Sequence, residues 1–277
     1  MIDRKALVRK QNPVLSEMQP LAPLSVGNGN LCFTADVTGM QSLSEDYEKA
    51  GFPLLTMSGW GWHEEPDGEG KTYCLDDVAK TEYICGGRSV SYAVEKKPGN
   101  EKVYDWVREN PHRFNLVRIG LIKDGKHLEP AELWDIHQEL DLYSGCLQSK
   151  ISVFVEGEKE RIITQSVCHG EEDVLGFSIS VGEKLAGRIQ IEIAFPYPSW
   201  KIQGADWTVP QKHDTVFEVK EDGICLWKRQ MDVFAWKMAI YGCKAGQVVR
   251  ADKHRFLILP GSDGKIEFSL EFEKEDE

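Results

Sequence analysis

The chain has 277 residues, 41% of them hydrophobic and 28% charged, and a formal net charge of −12. That length allows one large all-β domain or two average ones. The acidic balance argues against nucleic acid and against anionic membrane surfaces, since both need basic patches, and no apolar run approaches the ~20 residues of a membrane span.

Residues 1–22 read as polar and irregular, with Pro13, Pro20 and Pro23 breaking any regular element, and they lack the apolar stretch of a secretory signal. A turn at Gly27-Asn28-Gly29 leads into a half-buried strand, with Leu31, Phe33, Ala35 and Val37 on one face and Asn30, Cys32, Thr34 and Asp36 on the other. Residues 42–51 suit one turn of helix or a loop. Residues 59–71 are rich in glycine and acid, so they present Trp60, Trp62 and His63, with Glu64 and Glu65 beside them, on a loop. A short strand over 89–94 precedes a helix over 101–110, where Val103, Trp106 and Val107 have helical spacing and Pro111 is the stop. Residues 115–121 return to strand, Asp124-Gly125 is a hairpin-type turn, and 129–142 is ambiguous between a helical turn at Pro130 and entry into a strand.

From Ser149 onward ten strand-like runs follow in series, punctuated by turn signals at Gly157, Gly182, Asp222-Gly223 and Asp263-Gly264. Spacing of roughly ten residues per strand with few helices predicts an all-β fold of antiparallel sheets, packed as a sandwich or closed as a barrel. The core unit is expected over 23–272, with 273–277 as an acidic tail or the start of a linker. The seven cysteines are scattered without C-x-x-C spacing, which points away from zinc or redox work and toward a reduced, cytoplasmic protein.

Flat aromatic rings beside carboxylates and amides suit a sugar, the rings stacking on its C–H face and the polar groups binding its hydroxyls. The competing reading is that Trp60 and Trp62 fill a core. Gly27-Asn28-Gly29 is no dinucleotide fingerprint, because Cys32 stands where the third glycine belongs. His63, Glu64 and Glu65 lack a further His or Cys at metal-ligand spacing, so no metal or cofactor is expected. Glycosidic cleavage needs paired carboxylates, for which Asp36, Glu64, Glu65 and Asp67 are the candidates. A second aromatic cluster over 195–213 holds Phe195, Tyr197, Trp200 and Trp207 near Asp206 and His213, and reads either as a packed Ω-loop or as a sugar-facing rim. Arg108, His112, Arg113 and Arg118 form a basic island that serves an anion or local salt bridges. The expected sugar contacts are Asn28, Asp36, Trp60, Trp62, His63, Glu64, Trp200 and Trp207, with an oligosaccharide as the partner.

The blocks PLSVGNGNLCFTADVTGMQSL, TMSGWGWHEEP, WVRENPHRFNLVRIGL and QELDLYSGCLQSKISVFVEG resemble the N-terminal part of bacterial proteins of the six-hairpin glycosidase-like superfamily, related to maltose and kojibiose phosphorylases. The resemblance implies a large two-sheet β-sandwich, a supersandwich of the galactose mutarotase-like kind, preceding a helical (α/α)6 catalytic barrel. The catalytic carboxylates of that superfamily belong to the barrel, so the resemblance carries no catalytic residue onto this chain. It implies an accessory domain that packs on the barrel or a partner chain, supports a dimer, and leans loop residues such as Trp60–His63 over the substrate entrance. A free-standing lectin-like sandwich, or a small glycosidase using Asp36, Glu64 or Glu65, are the alternatives.

Overall fold

The computed structural model describes residues 2–221, 223–232 and 234–275, so Asp222 of the Asp222-Gly223 turn and the last two residues of the acidic tail lie outside the described residues. Among the described residues the chain is an antiparallel β-sandwich. Its larger sheet has nine strands in the spatial order Val14–Leu15, Trp134–Asp141, Cys146–Val155, Glu158–Cys168, Val174–Val181, Lys265–Lys274, Phe234–Tyr241, Cys225–Met231 and His213–Val219. The smaller has five, in the order Lys126–His127, Arg118–Lys123, Ile189–Ala194, Arg255–Ile258 and Val248–Asp252.

Period-two patterning builds these sheets. In Lys265–Lys274 the residues Ile266, Phe268, Leu270 and Phe272 are buried while the intervening positions face out. The inner faces meet through aromatic rings. Phe256 of the smaller sheet lies 5.5 Å from Trp227 and 5.2 Å from Phe217 of the larger, and Phe195 lies 5.9 Å from Trp236. Burying each such ring stabilises the fold by roughly 1.5–3 kcal/mol.

The expected helix appears as Glu101–Glu109, and Asp124-Gly125, both at positive φ, turn the chain between paired Lys123 and Lys126. The ambiguous stretch resolves into a short 3-10 turn at Pro130–Glu132 followed by the strand Trp134–Asp141. The N-terminal segment differs from the irregular reading. Asp3 caps a helix over Arg4–Arg9 by accepting from the Ala6 amide at 3.0 Å, and Val14–Leu15 pairs with Gln138 and Glu139. The prolines act only beyond that helix. All seven cysteines are free, and no described helix is long and apolar enough to cross a membrane.

The stretch from Leu24 to Leu43 ties the two sheets together. Leu24–Gly27, Leu31–Ala35 and Thr56–Ser58 form a three-stranded sheet whose Phe33 packs edge-on against Phe177 of the large sheet at 5.3 Å. Residues 36–43 then fold into a polar knot. Toward the large sheet, the Thr164 hydroxyl donates to the Thr38 carbonyl at 2.5 Å, Ser166 to the Gly39 carbonyl at 2.8 Å, and Gln138 to the Asp36 carbonyl at 2.6 Å. Toward the small sheet, the Ile119 amide donates to Gln41 Oε1 at 3.0 Å and the Leu121 amide to Ser42 Oγ at 2.9 Å. These bonds satisfy part of the free edge of Arg118–Lys123, which would otherwise expose unpaired amides.

Candidate functional site

The glycine-rich loop does not present its aromatics as a group. Trp60 turns inward, stacked on Phe234 at 6.2 Å, and its indole N–H donates to Asp173 Oδ2 at 2.7 Å. Trp62 faces out, 45% exposed, with the Arg113 guanidinium 4.8 Å from its ring centre. His63 is buried, in a two-residue bridge that pairs Trp62 and His63 with Arg113 and His112. Glu64 is half-buried with no hydrogen bond to its carboxylate among the described residues, and Glu65 accepts from Lys212 at 2.5 Å. Trp200 stands 52% exposed on the second aromatic loop.

Two of the expected sugar contacts are committed to the fold. The Asn28 side chain donates to the carbonyls of His169 (3.0 Å) and Glu172 (2.9 Å) and accepts from the amides of Asn30 and Leu31, so its hydrogen-bonding capacity closes a turn. Asp36, placed on the polar face by alternation, has 0% exposure and accepts from the Thr38 amide (2.7 Å), the Thr38 hydroxyl (2.6 Å) and the Leu43 amide (2.6 Å). It has no surface left for a ligand. Burial pushes its carboxyl up to about 6, against those three hydrogen bonds.

Behind the loop runs a chain of polar side chains. Tyr197 donates to Asp232 Oδ2 at 2.6 Å, and His63 Nε2 lies 2.9 Å from the same oxygen. His112 Nδ1 lies 2.9 Å from the Glu109 carbonyl, which can only accept, so that nitrogen carries the hydrogen. With His63 donating from Nε2 to Asp232, the remaining contact, His63 Nδ1 to His112 Nε2, sets two lone pairs together. At 3.3 Å it is the loosest of the chain.

Tyr197 also packs edge-on against His213 at 5.9 Å, which leads into a concavity. This is a cleft of about 430 Å³ on the outer face of the five-stranded sheet, under Trp207. Strand register builds it. Ala194 pairs with Arg118 on one side and Arg255 on the other, so two guanidiniums flank it, while Glu192, two residues back on the same face, reaches both. Glu192 is buried and accepts from Arg118 Nη2 at 3.3 Å and from Arg255 Nε, with His127 Nε2 3.8 Å away. Trp207, 40% exposed, lies over Arg118 with the guanidinium 4.5 Å from its ring centre.

The floor holds His213 and His254, stacked 3.7 Å apart at 15°. Beneath them lies Arg229, almost fully buried. It donates to the carbonyls of Pro196 (3.1 Å) and Asp214 (2.9 Å), to the Thr215 hydroxyl and to His213 Nδ1. None of these groups is a carboxylate, and Arg229 Nε has no partner among the described residues. Burial lowers its guanidinium to about 9, so it keeps its charge at neutral pH. An imidazole accepting from an arginine is necessarily neutral at that nitrogen, and burial with the Arg229 charge holds His213 far below the ordinary histidine range.

The buried imidazoles predict a pH dependence. Burial lowers His63, His112, His213 and His254 below their ordinary value of 6.5. Each therefore stays neutral in the fold while the unfolded chain takes up a proton as pH falls past 6.5, so their stabilisation is complete above that value and lost below it. Asp36, raised to about 6 from 3.8, acts in the opposite sense between those values. Four groups against one set the net sign. Thermal melts at fixed ionic strength should show Tm falling between pH 7.5 and 5.5, and a Tm that rises over that range contradicts the assignment.

Of the expected contacts, the cleft includes Trp207 alone; Trp62 and Trp200 do not line it. Arg118 belongs to the basic island and His213 to the second aromatic cluster. Their convergence with Glu192, Arg229 and Arg255, all at least 74 residues beyond Arg118 in the chain, depends on pairing that no local spacing reveals.

No family profile and no curated protein sequence matches this chain. Solved structures do. A protein assigned as a kojibiose phosphorylase, from the human microbiome, is similar over 95% of this chain and 32% of its own, with 10% identical residues and a TM-score of 0.54. A 4-α-glucanotransferase from Thermococcus litoralis aligns over 98% of this chain and 43% of its own, with 11% identity and a TM-score of 0.34. At these identities the first likeness defines the class of fold, a large antiparallel β-sandwich. The chain spans about a third of the length of that structure.

Proposed function

We propose that this chain is the β-sandwich domain of a carbohydrate-active enzyme, a glycoside hydrolase or phosphorylase, and that it packs on a helical (α/α)6 catalytic domain and shapes the substrate entrance. The observation that carries this reading is the fold likeness, which takes in 95% of this chain and only 32% of a protein assigned as a phosphorylase. The sequence blocks that resemble six-hairpin glycosidase-like proteins support it, and that resemblance implies catalytic carboxylates outside this chain. An exposed hairpin suits the packing role. Thr81–Cys85 and Arg88–Tyr92 form a two-stranded ribbon on which Ile84 is 76% exposed and Tyr83 and Tyr92 are also exposed, and a lone ribbon of this kind is marginal until something covers it. We assign the helical domain as its cover.

The cleft under Trp207 supplies the sugar-contacting part, and it also favours a second reading, a free-standing lectin-like sandwich. The third reading, a small glycosidase, has less support, because Asp36 is sealed in the fold and Glu65 is engaged by Lys212, which leaves Glu64 without a free partner carboxylate among the three. Calorimetric titration of the purified chain with a panel of neutral and acidic disaccharides tests the sugar contact. Binding by at least one of them, weakened about tenfold or more in Trp207→Ala, is expected, since ring–sugar stacking and its loss are worth on the order of 1 kcal/mol or more. No binding by any of them removes the sugar-contacting role.

A further inference from the structure

We propose that the cleft under Trp207 is a subsite for a sugar unit that bears a carboxylate, a uronate, seated on the guanidinium groups of Arg118 and Arg255. This rests on the saccharide reading above and goes further by naming the class of sugar. Arg118 and Arg255 stand on either side of Ala194 and share one carboxylate, Glu192. Arg255 uses its Nε on Glu192 and its side chain is 40% exposed. Its Nη1 and Nη2, which have no hydrogen-bond partner among the described residues, therefore face the cleft as a fork, while Arg118 Nε is buried and adds only charge. The terminal fork of an arginine matches a carboxylate in a two-bond geometry that a sugar hydroxyl cannot reproduce.

Arg229 adds to this from below. Its charge is buried beneath the His213 and His254 floor, with no carboxylate among the groups it bonds. A charge screened so little by water acts on the cleft above it more strongly than a surface charge would. Both floor imidazoles are neutral and add no charge of their own, and the nearby Asp214 carboxylate offsets part of that field. Lys253 adds little, being 3.2 Å from Asp214. On a chain of net charge −12, two guanidiniums sharing one carboxylate, with a third buried nearby, form a local exception.

The rest of the lining selects the kind of anion. Asp206 and Asp252 also border the cleft and are partly or largely exposed. A dianion such as a phosphate ester would meet both, whereas a single carboxylate on the arginines leaves the Oδ2 atoms of the two aspartates to accept from sugar hydroxyls, each Oδ1 already accepting from its own loop. Trp207 is held by Arg118 on one face and stays 40% exposed, which leaves ring surface for the C–H face of a pyranose.

Calorimetric titration with digalacturonate, with the corresponding neutral digalactose, and with inorganic phosphate tests the inference. Digalacturonate should bind at least about tenfold more tightly than digalactose at low salt, and the difference should shrink as salt rises from about 0.05 to 0.5 M. Arg255→Gln should abolish the preference. Because that variant leaves Glu192 with one arginine fewer, Arg255→Gln with Glu192→Gln, which keeps the buried charge balanced, should abolish it as well. Digalactose binding as tightly as digalacturonate overturns the inference and leaves the saccharide reading standing. Phosphate matching digalacturonate also overturns it, as an anion hole without a sugar subsite. If neither disaccharide binds, the inference falls, and the saccharide reading falls with it only when the rest of the disaccharide panel also fails to bind.

Discussion

Glu192→Ala should cost the fold about 3 kcal/mol or more, the usual result of removing one partner from a buried ion pair and leaving the other charge uncompensated. Glu192 is 1% exposed, and Arg118, its partner at 3.3 Å, is itself mostly buried. The substitution leaves two guanidiniums side by side across Ala194 with no bonded carboxylate, so repulsion adds to the desolvation cost. Urea unfolding at neutral pH measures the loss. Glu192→Gln, which keeps the shape and one acceptor oxygen, should lie between wild type and Glu192→Ala. A loss below about 1 kcal/mol in the alanine variant would place the site in well-hydrated surroundings, where exposed pairs contribute that little.

Gly39→Ala should cost a further class of stability, on the order of 2–4 kcal/mol. Gly39 has φ +77, a region in which a Cβ costs roughly 1–2 kcal/mol, and overpacking commonly adds 1–3 kcal/mol. The added Cβ would overlap Thr164 Oγ1 and press on Ser149 Oγ at 3.0 Å, breaking the hydroxyl bonds that hold residues 36–43 on the large sheet. Gly29 is the internal control. Its φ is +94 but nothing lies within 4 Å of the added Cβ, so Gly29→Ala should carry only the conformational part. If the two substitutions cost the same, the knot over Thr164 is not what fixes Gly39.

Much of the fold was legible in the residues, because it rests on local pattern. Alternation in runs such as Lys265–Lys274, and turn chemistry such as Asp124-Gly125, specify strands and hairpins over a few residues, and these appear as expected. The N-terminal helix was missed because its signal is the Asp3 cap, not the later prolines. The site was less legible. Alternation assigned Asp36 to an open face, yet the seven residues after it fold back and use its carboxylate for Thr38 and Leu43. Asn28 likewise serves a turn. The glycine-rich composition of residues 59–71 does mark a loop, but the tertiary partner Asp173 pulls Trp60 inward and Asp232 draws in His63. The cleft depends on register between Arg118–Lys123, Ile189–Ala194 and Arg255–Ile258, which lie far apart in sequence, so of the named tryptophans only Trp207 reaches it.

The proposed saccharide site lies under Trp207 and not on the loop of Trp62 or at Trp200. The indole N–H spectrum of the eight tryptophans during titration with the disaccharides distinguishes these positions. A saturable shift of the Trp207 resonance, assigned by its disappearance in Trp207→Phe, with Trp62 and Trp200 unmoved, is the predicted result. Shifts confined to Trp62 or Trp200, or no shift at all, would contradict it.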